Sequence, residues 1–330
     1  MLPIILDTDI GTDVDDALAL AFAAHSTELD IRGVTTVGPN PERRARIARK
    51  LLNKMGLDSI SVYAGNAFSM PNEFMDRVLA GYEKILFGHE GCDFIETEQD
   101  GLPVAKEHAV DFIIKLLKSS DTRITVVAIG PLTNIADALR REPSITKRIE
   151  RIILMGGSVT PGDILKKEGW LDKLPACQKA CWEYNMNSDK TASEVVLKAG
   201  IPLLVVPAEI TYRTWLTEDE RRQLKQSQKL QGDYLNSMCD YWVKSFREEL
   251  PNSINKVAQI YLHDPLTVAT AFRKDFVTIE KMHLAPGYEC GIFRTLREEN
   301  KPANAEVVTD LDKVTLKCLV AKRAFGVTFT

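Results

Sequence analysis

The chain has 330 residues, 45% of them hydrophobic, and a formal net charge of −4. That length supports a large buried core, and the acidic balance with no Lys/Arg block excludes a nucleic-acid polyanion as the main partner. The start, Met-Leu-Pro-Ile-Ile-Leu followed by Asp7, has no basic-then-apolar leader pattern, and no stretch approaches the ~20 apolar residues of a membrane span. A cytoplasmic protein with no membrane partner is therefore expected. Cys92, Cys177, Cys181, Cys239, Cys290 and Cys318 form no CxxC pair, which suits a reducing compartment and argues against structural zinc.

In chain order, Leu2–Leu6 is an apolar run ending in an acidic turn and reads as a buried strand. Ala17–Ala24 reads as a helix and Ile31–Val37 as a strand. Pro41 opens a further helix, a residue suited to the first turn, and Ser59–Tyr63 is a third strand. Ala109–Lys118 is an amphipathic helix. Arg123–Ile129 is a strand stopped by Gly130-Pro131, and Thr133–Arg141 is a helix. Ile149–Met155 is a strand stopped by Gly156-Gly157. Residues 158 to 180 form a long mixed loop containing Trp170, the kind of segment that covers a binding site. Ser188–Ala199 is helical and Pro202–Val206 a strand. The pattern turns helical from about 217 to 250 and strand-rich from about 276 to 329. Alternating strands and helices predict an α/β fold, an open, mostly parallel sheet flanked by helices, with a helical cap region and a strand-rich C-terminal tail. No repeat or linker divides residues 1–330, so one domain is expected.

Asp7, Asp9, Asp13, Asp15 and Asp16 place five carboxylates in ten residues, between a strand and a helix. Carboxyl ends of strands in open parallel sheets bind ligands, and an all-oxygen cluster favours Ca²⁺ or Mg²⁺. A solvated loop with Asp13 capping the helix is the plainer reading. An EF-hand fails, because the twelfth position from Asp7 is Leu18 rather than Glu. A metal-dependent phosphatase of haloacid dehalogenase type also opens on Asp-x-Asp, but its threonine position is Gly11 here.

Four later segments add chemistry. Asn40 ends a strand and offers an amide to a sugar hydroxyl. Ile129-Gly130-Pro131-Leu132-Thr133-Asn134 frees the Ile129 carbonyl from ladder pairing. Met155-Gly156-Gly157 allows close backbone approach and precedes Glu183-Tyr184-Asn185, where residues two apart share a face if the segment is extended. His263-Asp264-Pro265 opens an apolar helix, with Asp264 at the cap and Pro265 first in the helix.

Together these motifs, in this order, resemble the inosine–uridine nucleoside hydrolase family over about residues 3 to 275. The resemblance implies an open α/β fold with one Ca²⁺ held by Asp9, Asp16, Asp264 and the Ile129 carbonyl, the isoleucine replacing the family's threonine. It implies Asp15, Asn40, Glu183 and Asn185 on the ribose and Asp7 in support. Asp9 would be the general base toward a water held by the metal, and His263 would protonate the leaving base. Attack opposite the base predicts inversion at C1′. Tyr184, Trp242 and Phe246 are the candidate aromatics over the base, and a homodimer or homotetramer is implied. A nucleoside is the expected substrate, of inosine/uridine-type or broad specificity. A non-catalytic Ca²⁺ or ribose-binding protein is the other class, against which Asp9 and His263 both argue.

Three departures stand out. The spacer between Asp9 and Asp15 is two residues longer than the family's usual pattern, which introduces Asp13. The family's asparagine six residues before the glutamate falls at Cys177, and its His-Gly segment reads Gly88-His89-Glu90-Gly91.

Overall fold

A computed structural model describes residues 1–11, 13–67, 103–159, 183–249, 259–289 and 292–329. An eight-stranded sheet organises them, in the order β3-β2-β1-β4-β5-β6-β12-β9. The strands are β1 (Leu2–Thr8), β2 (Leu29–Thr36), β3 (Val62–Ala64), β4 (Ile124–Ala128), β5 (Ile149–Met155), β6 (Leu203–Val206), β9 (Val277–Met282) and β12 (Ala305–Leu311). All neighbours are parallel except the edge pair β12 and β9, which is antiparallel.

The central strands are apolar at successive positions because both sheet faces are covered. Ile4 and Leu6 of β1 pack with Val127, Ile153 and Leu204 on one face. Ile5 packs with Val126, Ile152 and Val205 on the other. This period of two along each strand yields two cores, one on either side of the sheet.

The strand order reverses between β1 and β4, which lie side by side although the chain runs out from β1 to β3 before returning. Loops leave such a pair in opposite directions and open a crevice at the carboxyl ends. Asp9 follows β1 and Ile129 follows β4 at that point, and the Ile129 N–H donates to the Asp7 carbonyl at 2.8 Å. The aspartate segment then enters the helix Asp15–Ala24, whose first turn carries Asp15 and Asp16.

The expected parallel α/β architecture is observed, with local differences. The helix read over Ser188–Ala199 is two helices, Tyr184–Ser188 and Lys190–Lys198, and Asp189 between them caps the second. The expected cap region contains the helices Glu218–Leu224 and Leu230–Glu249. The tail is strand-rich only to Leu311. Besides β9 and β12 it holds the hairpin β10 (Leu284–Glu289) with β11 (Ile292–Arg297). Asp312 then caps a helix over Lys313–Val320 by accepting from the Val314 and Thr315 amides. Leu316, Val320 and Ala324 follow at intervals of four and are buried, a helical spacing that alternation in the preceding strands obscures. The short strands β7 (Trp215–Leu216) and β8 (Ile260–Tyr261) pair antiparallel, and β8 delivers the chain to the helix His263–Thr270. No helix among the described residues is long and apolar enough to cross a membrane.

Candidate functional site

The crevice is lined by acidic groups drawn from Asp9, Asp13, Asp15, Asp16, Glu183 and Asp264, with Ile129, Asn185, Tyr184, Tyr212 and His263 completing most of its wall. Among the described residues, Asp15, Asp16 and Asp264 bring one carboxylate oxygen each to within 4.8 Å of one another, and all three are buried. The Asp264 amide donates to Asp15 Oδ2 at 3.1 Å, which locks the start of the helix His263–Thr270 onto the start of Asp15–Ala24. Thr8 Oγ1 donates to Asp16 Oδ1 and accepts from the Ile10 amide, so the β1 end orients this carboxylate.

Burial pushes Asp15, Asp16 and Asp264 well above the usual carboxylate range. Neighbouring carboxylates push them in the same direction: Asp13 and Asp9 act on Asp15, Asp9 and Asp15 on Asp16, and Asp15, Asp16 and Asp9 on Asp264. Such a cluster is relieved by a hard cation, which accepts several carboxylate oxygens at once. The donor set therefore fits a divalent metal, and the buried aspartate group is one that can hold it.

Two further features shape the metal side. A Cβ on Gly130 would stand 2.8 Å from both the amide nitrogen and Oδ1 of Asp9, so only glycine lets the β4 turn approach this carboxylate. Arg44, buried on the helix Pro41–Lys54, donates from Nε to the Pro39 carbonyl at 2.7 Å and from Nη1 to the Ile10 carbonyl at 3.1 Å. The same Nη1 donates to the Asp9 carbonyl. One guanidinium thus fixes the loop that carries Asp9. Neither Arg44 nor the Gly130–Asp9 approach was among the sequence-based expectations.

Asp7 lies beneath this floor, fully buried. Its Oδ1 accepts from Thr35 Oγ1 at 2.5 Å and Asn134 Nδ2 at 2.9 Å. Asn134 also donates to the Thr36 carbonyl and accepts from the Asn66 amide. Burial raises the Asp7 carboxyl to about 7 against the lowering effect of its Asn134 and Thr35 bonds. Asn134 is the hub that ties the ends of β1 and β2 and residue 66 together, a role that the Gly-Pro-Leu-Thr-Asn motif carried without revealing.

On the opposite wall, Glu183 is not on an extended segment with Asn185. It caps the helix Tyr184–Ser188, with Oε1 accepting from the Asn185 amide at 2.7 Å and Oε2 from the Met186 amide at 2.8 Å. A carboxylate at a helix start satisfies amides that the helix leaves open, which is why the turn forms there. Burial raises Glu183 to about 7, opposed by the amides of Met186, Gly157 and Asn185. Gly156 and Gly157 have φ of 151° and 83°, and a Cβ on Gly157 would stand 2.5 Å from Thr295 Oγ1. Asn185 Nδ2 donates to the carbonyls of Ile129 and Met155, each at 3.1 Å. The Ile129 carbonyl is therefore outside the sheet ladder, as its turn predicts, and already oriented by Asn185.

His263 is half-buried on the crevice wall. Its Nδ1 is 2.6 Å from Thr211 Oγ1. The Tyr212 ring meets it edge-on at 4.8 Å and the Tyr261 ring stacks at 5.2 Å. Burial lowers the imidazole to about 3. Asp264, expected to cap the helix, sits one residue inside it, since the helix starts at His263. Asp13 also fails to cap its helix: the cap residue is Val14, and Asp13 Oδ1 accepts from the Val14 amide at 2.9 Å while the side chain lines the crevice.

Asn40 and Trp242 are not gathered into the lining. Asn40 is exposed, with φ of 53°, and caps the helix Pro41–Lys54 by accepting from the Arg43 amide at 3.3 Å. Trp242 packs in the core. Among the described residues, Tyr184 and Tyr212 are the tyrosine rings on the crevice wall. The side chain of Phe246, the 158–180 loop beyond residue 159 with Trp170 and Cys177, and Gly88-His89-Glu90-Gly91 lie outside the described residues.

The family profile described as "Inosine-uridine preferring nucleoside hydrolase" matches residues 4–317. The chain belongs to the inosine-uridine preferring nucleoside hydrolase family. It is a hydrolase acting on N-glycosyl bonds of nucleosides, and the phosphatase reading is not favoured. It is 27% identical over 334 residues to the pyrimidine-specific ribonucleoside hydrolase RihA of Citrobacter koseri, covering 98% of this chain and 97% of that one. It is 28% identical over 316 residues to the pyrimidine-specific ribonucleoside hydrolase RihB of Escherichia coli, covering 94% and 92%. The solved purine-preferring ribonucleoside hydrolase from Gardnerella vaginalis superposes with a TM-score of 0.76 at 25% identity, covering 98% of each chain. The inosine-uridine preferring nucleoside hydrolase from Bacillus anthracis shares the fold, with a TM-score of 0.74 at 21% identity over 99% of this chain and 100% of that one.

Proposed function

We propose that this nucleoside hydrolase cleaves ribonucleosides to ribose and free base around a calcium ion held at the aspartate cluster. The observation that carries the reading is the convergence of Asp15, Asp16 and Asp264 within 4.8 Å on the same crevice as Asp9, Glu183, Asn185 and His263. Asp16 and Asp264 would hold the ion with Asp9 and the Ile129 carbonyl, and Asp15 is close enough to serve either the ion or the sugar. Calcium bound there would offset the clustered negative charge and supply oxygen coordination for water and the ribose hydroxyls.

Breaking the bond between C1′ and the base nitrogen leaves positive charge on the ribosyl ring. The carboxylates of Asp15 and Glu183 and the amide of Asn185 surround the sugar and favour that charge. Asp9 takes one proton from the attacking water as its oxygen bonds to C1′. The electrons of the broken bond leave with the base, which is protonated from the His263 side of the crevice. Tyr184 and Tyr212 flank the base. Attack from the face opposite the base inverts C1′.

Base release from a panel of uridine, cytidine, inosine and adenosine, with calcium and without phosphate, tests the reading. Release of free base with equimolar reducing sugar is expected. No release from any ribonucleoside, or release only when phosphate is added, overturns it.

A further inference from the structure

We propose that Asn134 is a positioning residue for the floor of the crevice: its side-chain amide holds the Asp7 carboxylate and thereby sets the Asp7-Thr8-Asp9 segment from which the water-activating carboxylate projects. The inference rests on the role of Asp9 proposed above. Asn134 is fully buried at the second position of the helix Thr133–Arg141, 127 residues after Asp7.

Two backbone partners fix which way the amide faces. Its Oδ1 accepts from the Asn66 N–H at 2.9 Å, and a backbone N–H only donates. Its Nδ2 donates to the Thr36 carbonyl at 3.0 Å, and a carbonyl only accepts. The other N–H of Nδ2 is therefore the one aimed at Asp7 Oδ1, at 2.9 Å, and this orientation holds whatever the charge on Asp7. The seat is shaped for the amide. A Cβ on Gly65 would stand 2.5 Å from Asn134 Nδ2 and 2.6 Å from the Thr36 carbonyl, so residue 65 admits Asn134 by lacking a side chain.

The segment that Asp7 anchors bears on the site twice. Thr8 orients Asp16 through its hydroxyl, and Asp9 lines the crevice. Its backbone is held by the Ile129 amide, which donates to the Asp7 carbonyl at 2.8 Å, and by the Val37 amide, which donates to the Thr8 carbonyl at 3.0 Å. Those bonds set strand register; the Asp7 side chain is set by Thr35 and Asn134. Thr35 stands opposite Asp7 on the paired strand β2. Asn134 reaches Asp7 and Thr36 from the helix that follows β4, so it clamps the two sides of the crevice together at the point where Asp9 stands.

The test compares wild type, Asn134→Asp, Asp7→Asn, the exchange variant Asp7→Asn/Asn134→Asp, Gly65→Ala and Asp9→Ala on the ribonucleoside turned over fastest in the panel above. Each is assayed at saturating calcium, with calcium affinity measured so that metal loss is not read as misplacement, and with a melting curve. Asn134→Asp keeps the acceptor for Asn66 and removes both donors. Its kcat is expected to fall about a hundredfold, the scale of an ångström misplacement, with KM within about twofold of wild type. The exchange variant returns one donor and one carboxylate to the pair, so its loss should be about tenfold smaller than the product of the two single losses, the scale of one hydrogen bond. Gly65→Ala pushes the amide aside without altering either partner and should lower kcat at least about tenfold. A purely structural bond would lower the melting temperature of these variants and leave the kcat of the folded enzyme at the wild-type level. That result, or single losses that simply multiply in the exchange variant, overturns the positioning role. If Asn134→Asp does not fold, wild-type kcat in Gly65→Ala overturns it instead. Wild-type turnover in Asp9→Ala is a different failure: it removes the role of Asp9 on which this inference rests, whatever the coupling between Asn134 and Asp7.

Discussion

The amide of Asp264 donates to Oδ2 of Asp15 at 3.1 Å across 249 residues of sequence. That bond orients one carboxylate with the backbone of another and brings the two helix starts to a common point with Asp16. Asp264→Asn keeps the amide and the shape but removes one charge from the cluster. Calcium affinity by titration calorimetry is expected to fall at least about tenfold, because ligand charge sets affinity in oxygen sites. Asp13→Asn removes a charge from the crevice wall rather than from the converging three, and a smaller change is expected. If Asp13→Asn weakens calcium as much as Asp264→Asn does, the ion is not centred where we place it.

Stability should couple to metal and pH. Burial raises Asp15, Asp16 and Asp264, and raises Asp7 and Glu183 to about 7. A carboxyl whose folded pKa exceeds its unfolded value of roughly 4 holds its proton more tightly when folded. Its contribution is full below about pH 4 and is lost as pH rises toward the folded pKa, near 7 for Asp7 and Glu183. The chelated protein should therefore pass through this window losing stability. Calcium bound to the ionised cluster counters the loss. The melting-temperature gap between calcium-loaded and chelated protein is expected to widen between about pH 5 and about pH 8. A gap that stays constant or narrows over that range contradicts the linkage.

Gly130 is a steric requirement of the same floor. Added atoms there meet the amide and Oδ1 of Asp9 at 2.8 Å, and neither the backbone of the β1 loop nor a buried carboxylate yields cheaply. Gly130→Ala is expected to lower kcat/KM about a hundredfold, the scale of an ångström misplacement of a reacting group, with the fold retained by circular dichroism. Activity within about twofold of wild type would mean that Asp9 moves without penalty.

Much of this arrangement was legible because its signals are local. The helix Thr133–Arg141 and the strand Ile149–Met155 have the bounds read from the sequence, since Gly-Pro and Gly-Gly punctuate apolar runs there. Asp9, Asp15 and Asp16 could be picked out because carboxylates clustered at a strand end are chemically conspicuous, whereas Asp264 read locally as a helix cap and entered the site only through the family resemblance. What was not legible depends on long-range packing. A spacing of four predicts that Trp242 and Phe246 share a helix face, but not what that face meets, and Trp242 meets the core. Whether Glu183 and Asn185 share a face was left to the conformation of the segment, because nothing in Glu-Tyr-Asn announces that the carboxylate will cap the helix after it. Tyr212, which lines the crevice after the helix Ala208–Thr211, and Tyr261, which stacks on His263 from β8, sit in no motif.

Arg44 is a buried cation whose role the sequence conceals, since it is one of several arginines in the helix opened by Pro41 and nothing local sets it apart from Arg43 and Arg46. Its guanidinium holds three carbonyls, those of Pro39, Ile10 and Asp9. Lysine offers a point charge on a flexible stem and cannot reproduce the planar fork. At least one of these carbonyls would lose its partner in Arg44→Lys, at a cost of ~1–3 kcal/mol for a buried unsatisfied group. The damage falls on the loop that aims Asp9, so catalysis should suffer more than folding. We expect kcat/KM to fall between about tenfold and a hundredfold while the melting temperature drops by only a few degrees, roughly 2–4 °C per kcal/mol for a chain of this size. Arg44→Met separates charge from shape by keeping the aliphatic stem, and should lose at least as much as Arg44→Lys. Wild-type turnover in Arg44→Lys, measured beside its melting curve, would show that the loop holds Asp9 without this anchor.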